Sequence, residues 1–348
     1  MSASVPPAEI RACAASGLPA RERDLATRIG VREAELIAAH SEGSGPWHAT
    51  PLAADPAGLL PGLEAAGEVM ALTRNDHCVI EKVGTYRDWQ GGEHAGMVLG
   101  EIDLRVFPKH WVHAYAVEKD GGGKGARSIQ VFDAAGDAIH KIYARPETDA
   151  AAWDALIARL RVDAPFPKVT ERAPVEGPRV NPAKADVLRT EWARMTDTHQ
   201  FLMLVRRLKM NRLGAYRLTG APFARRLDRD AAAEAVRRAG GTGLPVMIFV
   251  GNAGCIEIHT GPVERVEPMG PWLNILDPRH DLHLRAGRVA EVWAVEKPTK
   301  RGPALSIEAF DAEGGLIFQM FGVRKEDADH HAPWAELVEG LPTAEVPA

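Results

Sequence analysis

A chain of 348 residues has room for two domains of ordinary size, and its 45% hydrophobic and 26% charged residues are typical of a globular protein. The net charge of −5 argues against a general affinity for nucleic acids or anionic membranes, although local basic patches remain compatible with it. Three widely spaced cysteines form no CxxC pair, no apolar run is long enough to cross a membrane, and the N-terminus lacks the pattern of a signal peptide. We therefore expect a cytoplasmic protein that does not insert into a membrane.

The chain begins with a proline-rich stretch over residues 1–20, which is typical of a loosely held start. Residues 21–40 then place apolar side chains at helical spacing on both sides of Gly30. This helix-turn-helix pattern fits a DNA-binding element, and it also fits two packed helices at the start of a domain. We favour the packed pair because residues 201–218 show a similar pattern in the second half of the chain.

From Glu68 onward, short runs of β-branched and aromatic residues alternate with turn signals, which predicts an antiparallel meander. A helix over residues 153–160, with one apolar face, closes this half. The glycine-rich segment at 121–127 lacks the GxxxxGK[ST] spacing of a phosphate-binding loop, so we interpret it as a hairpin loop. The predicted strands are 69–73, 77–83, 102–107, 111–118, 127–132 and 139–144.

Five prolines between residues 163 and 184 predict an extended, stiff linker, which we place at 171–184 between domains at 1–170 and 185–348. The second half repeats the order of the first. We predict helices from Ala185 to about Ala239, strands from Leu244 to about Val323, and a short helix near Trp334 to Leu337.

An internal duplication explains this repeated order. The tetrapeptide Ala-Val-Glu-Lys occurs at 116–119 and again at 294–297, and residues 103–143 match residues 281–321 at 14 of 41 positions without a gap. Each copy is too long for a solenoid repeat. The predicted fold class is therefore α+β, with two similar halves that each contain a large antiparallel β-sheet and flanking helices.

Two HxxH pairs, at 110–113 and 280–283, lie in strand context, where residues three apart point to opposite faces, so a zinc site from either pair is not expected. The most informative motif is TDTHQF at 196–201. Asp197 or Thr198 is predicted to cap a helix with His199 in its first turn, where the positive helix end favours the neutral imidazole that a metal requires. Taken alone, a surface or capping histidine is the simpler interpretation.

Several motifs are distinctive in combination: MALTRNDH (70–77), EKVGTY (81–86), DLRVF (103–107), HWVHAYAVE (110–118), RSIQVFD with GDAIHKIY (127–143), TDTHQF and EVWAVEKPT (291–299). In this order they resemble the proteobacterial hemin-degrading and heme-trafficking family of the HemS/ChuS/PhuS type, over nearly the whole chain. The resemblance implies one heme, held in a cleft between two similar halves.

The resemblance also implies roles for individual residues. His199 matches the proximal heme ligand, and Arg105 matches the arginine that reaches over the other heme face. Where the family commonly has a propionate-binding tyrosine, this chain has Phe321, which cannot donate a hydrogen bond. The first copy keeps a tyrosine, Tyr143, at the equivalent position. The departure puts in doubt one propionate contact. Further matches are Arg212 and Lys297 near the propionates, Phe249 as an aromatic wall and Gln319 as a polar contact.

Without the resemblance, other interpretations stay open. Lys297 is then a solvated hairpin lysine, and Arg105 is a strand arginine paired with an acid such as Asp103. A second heme site near His77 is the weaker alternative to a single site.

Two functions follow from the resemblance. One is oxidative heme degradation with an external electron donor, since no flavin or nicotinamide fingerprint is present. The other is a heme chaperone that receives heme from an inner-membrane importer and delivers it to a separate heme oxygenase. Expected partners are therefore heme, an importer, a reductase or a heme oxygenase, with a homodimer left open. A DNA-binding role is disfavoured by the acidic net charge.

Overall fold

A computed structural model of the protein describes residues 5–16, 21–43, 47–120, 126–324 and 329–344. Most of the predicted hairpin loop at 121–127 lies outside the described residues. Within the described residues the chain forms two compact units. The first comprises the residues up to Arg74, Ile80–Ala173 and Gly251–Glu257, and the second comprises Asn75–Val79, Pro174–Val250 and the residues from Ile258 onward.

The first repeat begins mainly with helices, continues with a long run of strands and ends with a helix. Its helix α4 begins at Pro56, where the side chain of Asp55 accepts hydrogen bonds from the backbone N–H groups of Ala57 and Gly58. The elements are α1 (Pro7–Ala15), α2 (Glu22–Ile29), α3 (Glu33–Ala38), β1 (Trp47–Leu52), α4 (Pro56–Ala66), β2 (Val69–Arg74), β3 (Cys78–Gly84), β4 (Gly96–Val98), β5 (Asp103–Val106), β6 (His113–Lys119), β7 (Arg127–Phe132), β8 (Ala138–Ala144) and α5 (Ala150–Leu160).

The main sheet of the first unit has the strand order β1-β6-β7-β8-β2-β3. Successive side chains along a strand point to opposite faces of the sheet, and in this sheet both faces are covered by helices. Ala116 and Ile129 pack with α4 and α5 in one core. Tyr115 and Phe132 pack with α3 in another core on the opposite face.

The second repeat follows the same order with one additional strand. Its elements are α6 (Ala185–Ala193), α7 (Gln200–Arg207), α8 (Arg212–Thr219), β9 (Ala224–Leu227), α9 (Ala231–Thr242), β10 (Val246–Gly251), β11 (Cys255–Gly261), β12 (Val266–Met269), β13 (Trp272–Asp277), β14 (His280–Leu284), β15 (Glu291–Lys297), β16 (Ala304–Phe310), β17 (Leu316–Gly322) and α10 (His331–Glu339).

The main sheet of the second unit has the strand order β10-β17-β16-β15-β9. Helices α6, α7 and α8 cover one face, where Trp293, Val295 and Phe310 pack among their apolar side chains. The segment before α6 is attached to this helical layer. The Asn211 side chain donates to Gly177 O and accepts from the Arg179 N–H, so this part of the proline-rich stretch runs along the α7–α8 turn.

The duplication extends beyond the aligned strands. Adding 178 to the bounds of α1, α2, β6 and β8 gives the bounds of α6, α7, β15 and β17, and adding 177 to those of β2 and β3 gives β10 and β11. The predicted pair of packed helices at 21–40 therefore corresponds to α7 and α8. The α+β fold with two similar halves is confirmed.

The structure corrects several element predictions. Strand β9 interrupts the region predicted as helices from Ala185 to about Ala239, and β1 and α4 occupy residues that had no predicted element. Helix α10 spans His331–Glu339, which is longer than the predicted short helix. The predicted domain limits at 170 and 185 stay predictions.

Candidate functional site

His199 lies at the start of α7 and is strongly exposed, with 92% of its side chain accessible. The Asp197 carboxylate accepts hydrogen bonds from the His199 backbone N–H at 2.8 Å and from ring Nδ1 at 2.7 Å. These two bonds lower the pKa of Asp197. The predicted cap at Asp197 or Thr198 is wrong by one or two residues, because α7 begins at Gln200 and His199 itself is the N-cap residue.

The bond to Asp197 selects one tautomer of the imidazole. A carboxylate only accepts hydrogen bonds, so Nδ1 carries a proton, and in the neutral ring Nε2 keeps its lone pair. A carboxylate partner on one ring nitrogen is the arrangement that orients a histidine as a metal ligand through the other nitrogen. The position of Asp197 is thus suited to an exposed iron ligand at His199.

The exposed face of α7 beside His199 is apolar. Leu202 and Met203 follow at i+3 and i+4 and are 43% and 67% exposed, while Phe201 on the opposite side is buried. Arg206, at i+7, is exposed on the same face. One helix face therefore presents an imidazole, then an apolar surface, then a cation.

Beneath α7, a buried carboxylate links two cations predicted to contact propionates. Glu308 accepts from Arg212 Nη1 at 2.7 Å, from Lys297 Nζ at 2.6 Å and from the Tyr216 hydroxyl at 2.8 Å. Lys297 is buried, with its ammonium 5.0 Å from the centre of the Phe201 ring. A solvated hairpin lysine does not describe this position, because the strand pairing directs Lys297 toward Glu308. Its role near a propionate stays a prediction.

Charge explains the pKa shifts of this cluster. Burial alone would raise the pKa of Glu308, but Lys297 and Arg212 hold it well below its usual range. Burial lowers the pKa of Lys297, and the attraction of Glu308 does not fully offset it because Arg212 adds repulsion. Two cations thus share one carboxylate, and the cluster has a surplus of one positive charge when both are protonated.

The first copy has a balanced cluster at the corresponding place. Lys119 Nζ binds Glu22 at 2.6 Å, and Lys141 binds both Glu22, at 3.2 Å, and Glu33. Lys119 is the counterpart of Lys297 at the offset of 178. Two cations face two carboxylates there, so a surplus of positive charge belongs to the second copy.

Phe249 and Gln319 lie on the same face of the sheet as Glu308. Cross-strand pairing places Phe249 opposite Gln319 and Gln319 opposite Glu308, so their side chains form one row. Phe321 packs edge-to-face on Phe249, with ring centres 5.3 Å apart, and offers no hydroxyl there. The structure thus brings Arg212, Lys297, Phe249 and Gln319 to one sheet face of the second unit.

Arg105 belongs to the first unit, in β5. Its guanidinium binds the Asp103 carboxylate and donates to Leu104 O at 3.0 Å, and about a third of the side chain (35%) is exposed. The simpler interpretation of Arg105, a strand arginine paired with Asp103, thus describes its contacts. A role toward a ligand stays a prediction.

Three of the other histidines contact side chains of the second unit. His77, the candidate for a second site, lies 3.8 Å from an oxygen of Asp311, and both belong to the second unit. In the HxxH pair of β14, His280 stacks on His259 at 3.7 Å, whereas His283 Nδ1 contacts Asn274 Oδ1 at 2.7 Å. These two side chains alternate in burial along the strand.

Sequence reasoning missed two features of the site. The sequence predicts Asp197 only as a helix cap, although an acid two residues before a histidine is also a signal for a ring partner. Glu308 was not singled out, although its counterpart Gln130 carries no charge. The available signal was a glutamate in a predicted strand at a position where the other copy has glutamine.

Comparison with known protein families gives one match in each repeat of the chain. A family described as "Haemin-degrading HemS.ChuX domain" matches residues 30–160 and 209–341. "Hemin transport protein HemS" of Yersinia enterocolitica is 37% identical over 330 residues, which cover 94% of each chain.

Solved structures give the same result over most of the chain. Holo-PhuS, "a heme-binding protein from Pseudomonas aeruginosa", is 39% identical, with a TM-score of 0.89 over 97% of this chain and 99% of that one. ChuS, "an E. coli Heme Oxygenase", is 36% identical, with a TM-score of 0.80 over 92% and 95% of the two chains. Among the described helices, none has both the length and the apolar character needed to cross a membrane. The chain belongs to the haemin-degrading HemS/ChuS/PhuS family.

Proposed function

We propose that the protein binds one heme in the cytoplasm through His199 Nε2 and degrades it oxidatively to release iron. The observation that carries the proposal is the exposed imidazole whose Nδ1 is held by Asp197, next to the apolar surface of Leu202 and Met203. Heme requires an iron ligand and an apolar surface for the macrocycle, and α7 offers both on one face.

The charge of the second unit supports binding of the propionates. The cluster of Arg212, Lys297 and Glu308 has one more cation than carboxylates, so a ligand carboxylate would restore the balance. Phe249 and Gln319, on the same sheet face, are proposed as an apolar wall and a polar contact. Arg105 is proposed to act on oxygen bound to heme, with electrons from an external donor.

Spectroscopy tests the ligand assignment. Hemin titrated into the protein should give a Soret band typical of a histidine-bound heme, and His199→Ala should lose that position. The matched control is His94→Ala, which removes an exposed histidine of the first unit. A His199→Ala spectrum identical to that of the wild type would overturn the assignment.

Esterified hemin tests the propionate contacts. The dimethyl ester lacks both negative charges, so the wild type should bind it more weakly than hemin. Lys297→Met removes the surplus cation and should reduce this preference, while the position of the Soret band stays unchanged. Equal affinities of the wild type for the two ligands would contradict the proposed role of the cluster.

The exposure of His199 also fits a second function, a heme chaperone, because an accessible ligand can pass heme to another protein. Hemin-loaded protein with ascorbate or a reductase, in the presence of catalase, separates the two. Conversion of the Soret band to a bile-pigment-like spectrum supports degradation. A stable band that transfers to an added heme oxygenase supports the chaperone.

A further inference from the structure

The first unit contains a buried polar cluster that the proposed function does not use. Its centre is His140, whose Nε2 lies 2.5 Å from the Tyr86 hydroxyl and whose Nδ1 lies 2.8 Å from Thr73 Oγ1. Cys255 and Glu257 complete the cluster from β11, with an oxygen of Glu257 3.9 Å from His140 Nδ1. All five residues belong to the first unit and are buried.

Glu257 lacks the partners that a buried carboxylate requires. Neither of its oxygens has a hydrogen-bond partner of good geometry among the described residues. The Thr73 hydroxyl also faces it, but the hydrogen bonds of that hydroxyl run to His140 and to Cys255 Sγ, at 3.6 Å. Because an ionised carboxylate is costly in such a place, burial raises the pKa of Glu257 to about 8 and lowers that of His140 to about 3.

The duplicated chain shows that the fold does not need these polar groups. At the corresponding positions the other copy has Phe318 for His140, Val250 for Thr73 and Ile80 for Glu257, and all three are buried. An apolar set therefore fills the same positions of this scaffold, so packing alone does not require the polar groups.

The cluster holds a segment that changes units. Residues 251–257 belong to the first unit, although the chain before and after them belongs to the second. Asn252 Nδ2 donates to Arg74 O and Ile139 O, and Trp111 Nε1 donates to Gly254 O at 3.0 Å. These hydrogen bonds, together with the burial of Glu257, hold residues 251–257 against the rest of the first unit.

We propose that Glu257 and His140 form a protonation-controlled latch that holds residues 251–257 in the first unit. The latch is closed while Glu257 keeps its proton and His140 is neutral. Opening exposes Glu257, which then releases its proton to water. The latch does not depend on heme binding.

Other titratable groups near Glu257 shift its protonation without replacing its role in the latch. Tyr86 and Cys255 face the cluster, and burial raises the pKa of both groups, so they stay neutral. Lys82 favours the ionised form of Glu257 and Glu81 disfavours it, both from β3.

The sign of the pH dependence follows from proton linkage. In the open segment Glu257 titrates near pH 4.5 and His140 near 6.5, whereas in the closed segment they titrate near 8 and 3. Opening therefore releases a proton from Glu257 between pH 4.5 and 8 and takes one up on His140 between pH 3 and 6.5. The two effects cancel between pH 4.5 and 6.5. Between pH 6.5 and 8 opening should become roughly tenfold more favourable for each pH unit.

Amide hydrogen exchange of the ligand-free protein tests the latch. The amides of Gly254 and Cys255 donate to Asn252 Oδ1 and report directly on the segment. After correction for intrinsic exchange, their protection should fall about 30-fold from pH 6.5 to 8. The matched amides of His77 and Cys78, which donate to Asn75 Oδ1 in the second unit, should not change in this way.

Three variants complete the test. Glu257→Gln should remove the pH dependence, whereas Glu171→Gln, at an exposed position of the first unit, should leave it unchanged. His140→Phe, which inserts the residue of the other copy, should extend the Glu257 slope down to about pH 4.5.

Two results would overturn the latch: an unchanged slope in Glu257→Gln, or the same slope in the amides of β7, which would indicate unfolding of the whole first unit. If Glu257→Gln does not fold, infrared spectroscopy of the wild type decides the matter. A protonated carboxyl band should be present at pH 6 and lost above about pH 9, and its absence at pH 6 would refute the proposal.

Discussion

At the residue scale, the pair Asp197–His199 concentrates the chemistry of the site. The resemblance to a known family predicted His199, but not that Asp197 would hold its ring. Nor could the sequence show that Lys297 is buried, because that depends on Glu308, which only the pairing of β15 with β16 brings within 2.6 Å. Local motifs identify ligands better than they identify the partners of those ligands.

Removal of the ring partner should weaken heme binding. Asp197→Asn replaces an acceptor-only group with an amide that can present either an acceptor or a donor to Nδ1, so the tautomer with a free Nε2 is less favoured. We expect a roughly 10- to 100-fold loss of hemin affinity by titration. Asp186→Asn, on the exposed side of α6, removes the same charge and should have little effect. Equal losses in both variants would indicate a general effect of charge.

At the scale of elements, short runs of β-branched and aromatic residues between turn signals predicted most strands, and β7 and β8 are buried along most of their length, on both faces. The predictions failed where local signals conflict with tertiary packing. Helix α4 contains Gly58, Pro61 and Gly62, which are typical of a loop, yet Leu59 and Leu63 bury its face against the sheet. Strand β9 has only four residues, and its central pair, Arg225 and Arg226, gives no apolar alternation.

The buried cluster should stabilise the helical layer beneath His199. Glu308→Gln leaves Arg212 and Lys297 without their carboxylate, and we expect a loss of about 3–5 kcal/mol in the free energy of unfolding, measured with denaturant. Glu313→Gln, at an exposed position in the same unit, should change this free energy little.

Acid should remove the same contribution. The folded pKa of Glu308 lies below its unfolded value, so its stabilisation is present above about pH 4.5 and is lost as the pH falls toward the folded pKa. The stability curves of the wild type and Glu308→Gln should therefore converge at low pH. A constant difference at all pH values would contradict this account.

At the scale of the whole molecule, each unit contains a piece of the other repeat. Asn75–Val79 comes from the first repeat and belongs to the second unit, and Gly251–Glu257 comes from the second repeat and belongs to the first unit. The same turn appears in both: Asn75 and Asn252 each accept hydrogen bonds from the N–H groups two and three residues later. The repeat predicted two similar halves, but no local pattern predicts such an exchange.

This exchange predicts the behaviour of a cut chain. A protease site inserted between Ala173 and Pro174 separates the two repeats without removing any element. The cut protein should elute as one species in native gel filtration and separate only in denaturant, because each unit keeps a segment from both pieces. Two separate peaks under native conditions would show that the exchanged segments contribute little.

The exchange also limits how the gene can change. A duplicated domain is usually free to be lost, copied again or moved into another protein. Here the deletion of either repeat removes part of the unit that remains, so the two copies must be inherited together. The sequences of the two copies can still diverge at single positions. One example is Phe318, which occupies the position that corresponds to His140 in the first copy. For protein engineering, we expect new termini to be tolerated at 171–176, where every residue is exposed, whereas a single-repeat version lacks a complete scaffold.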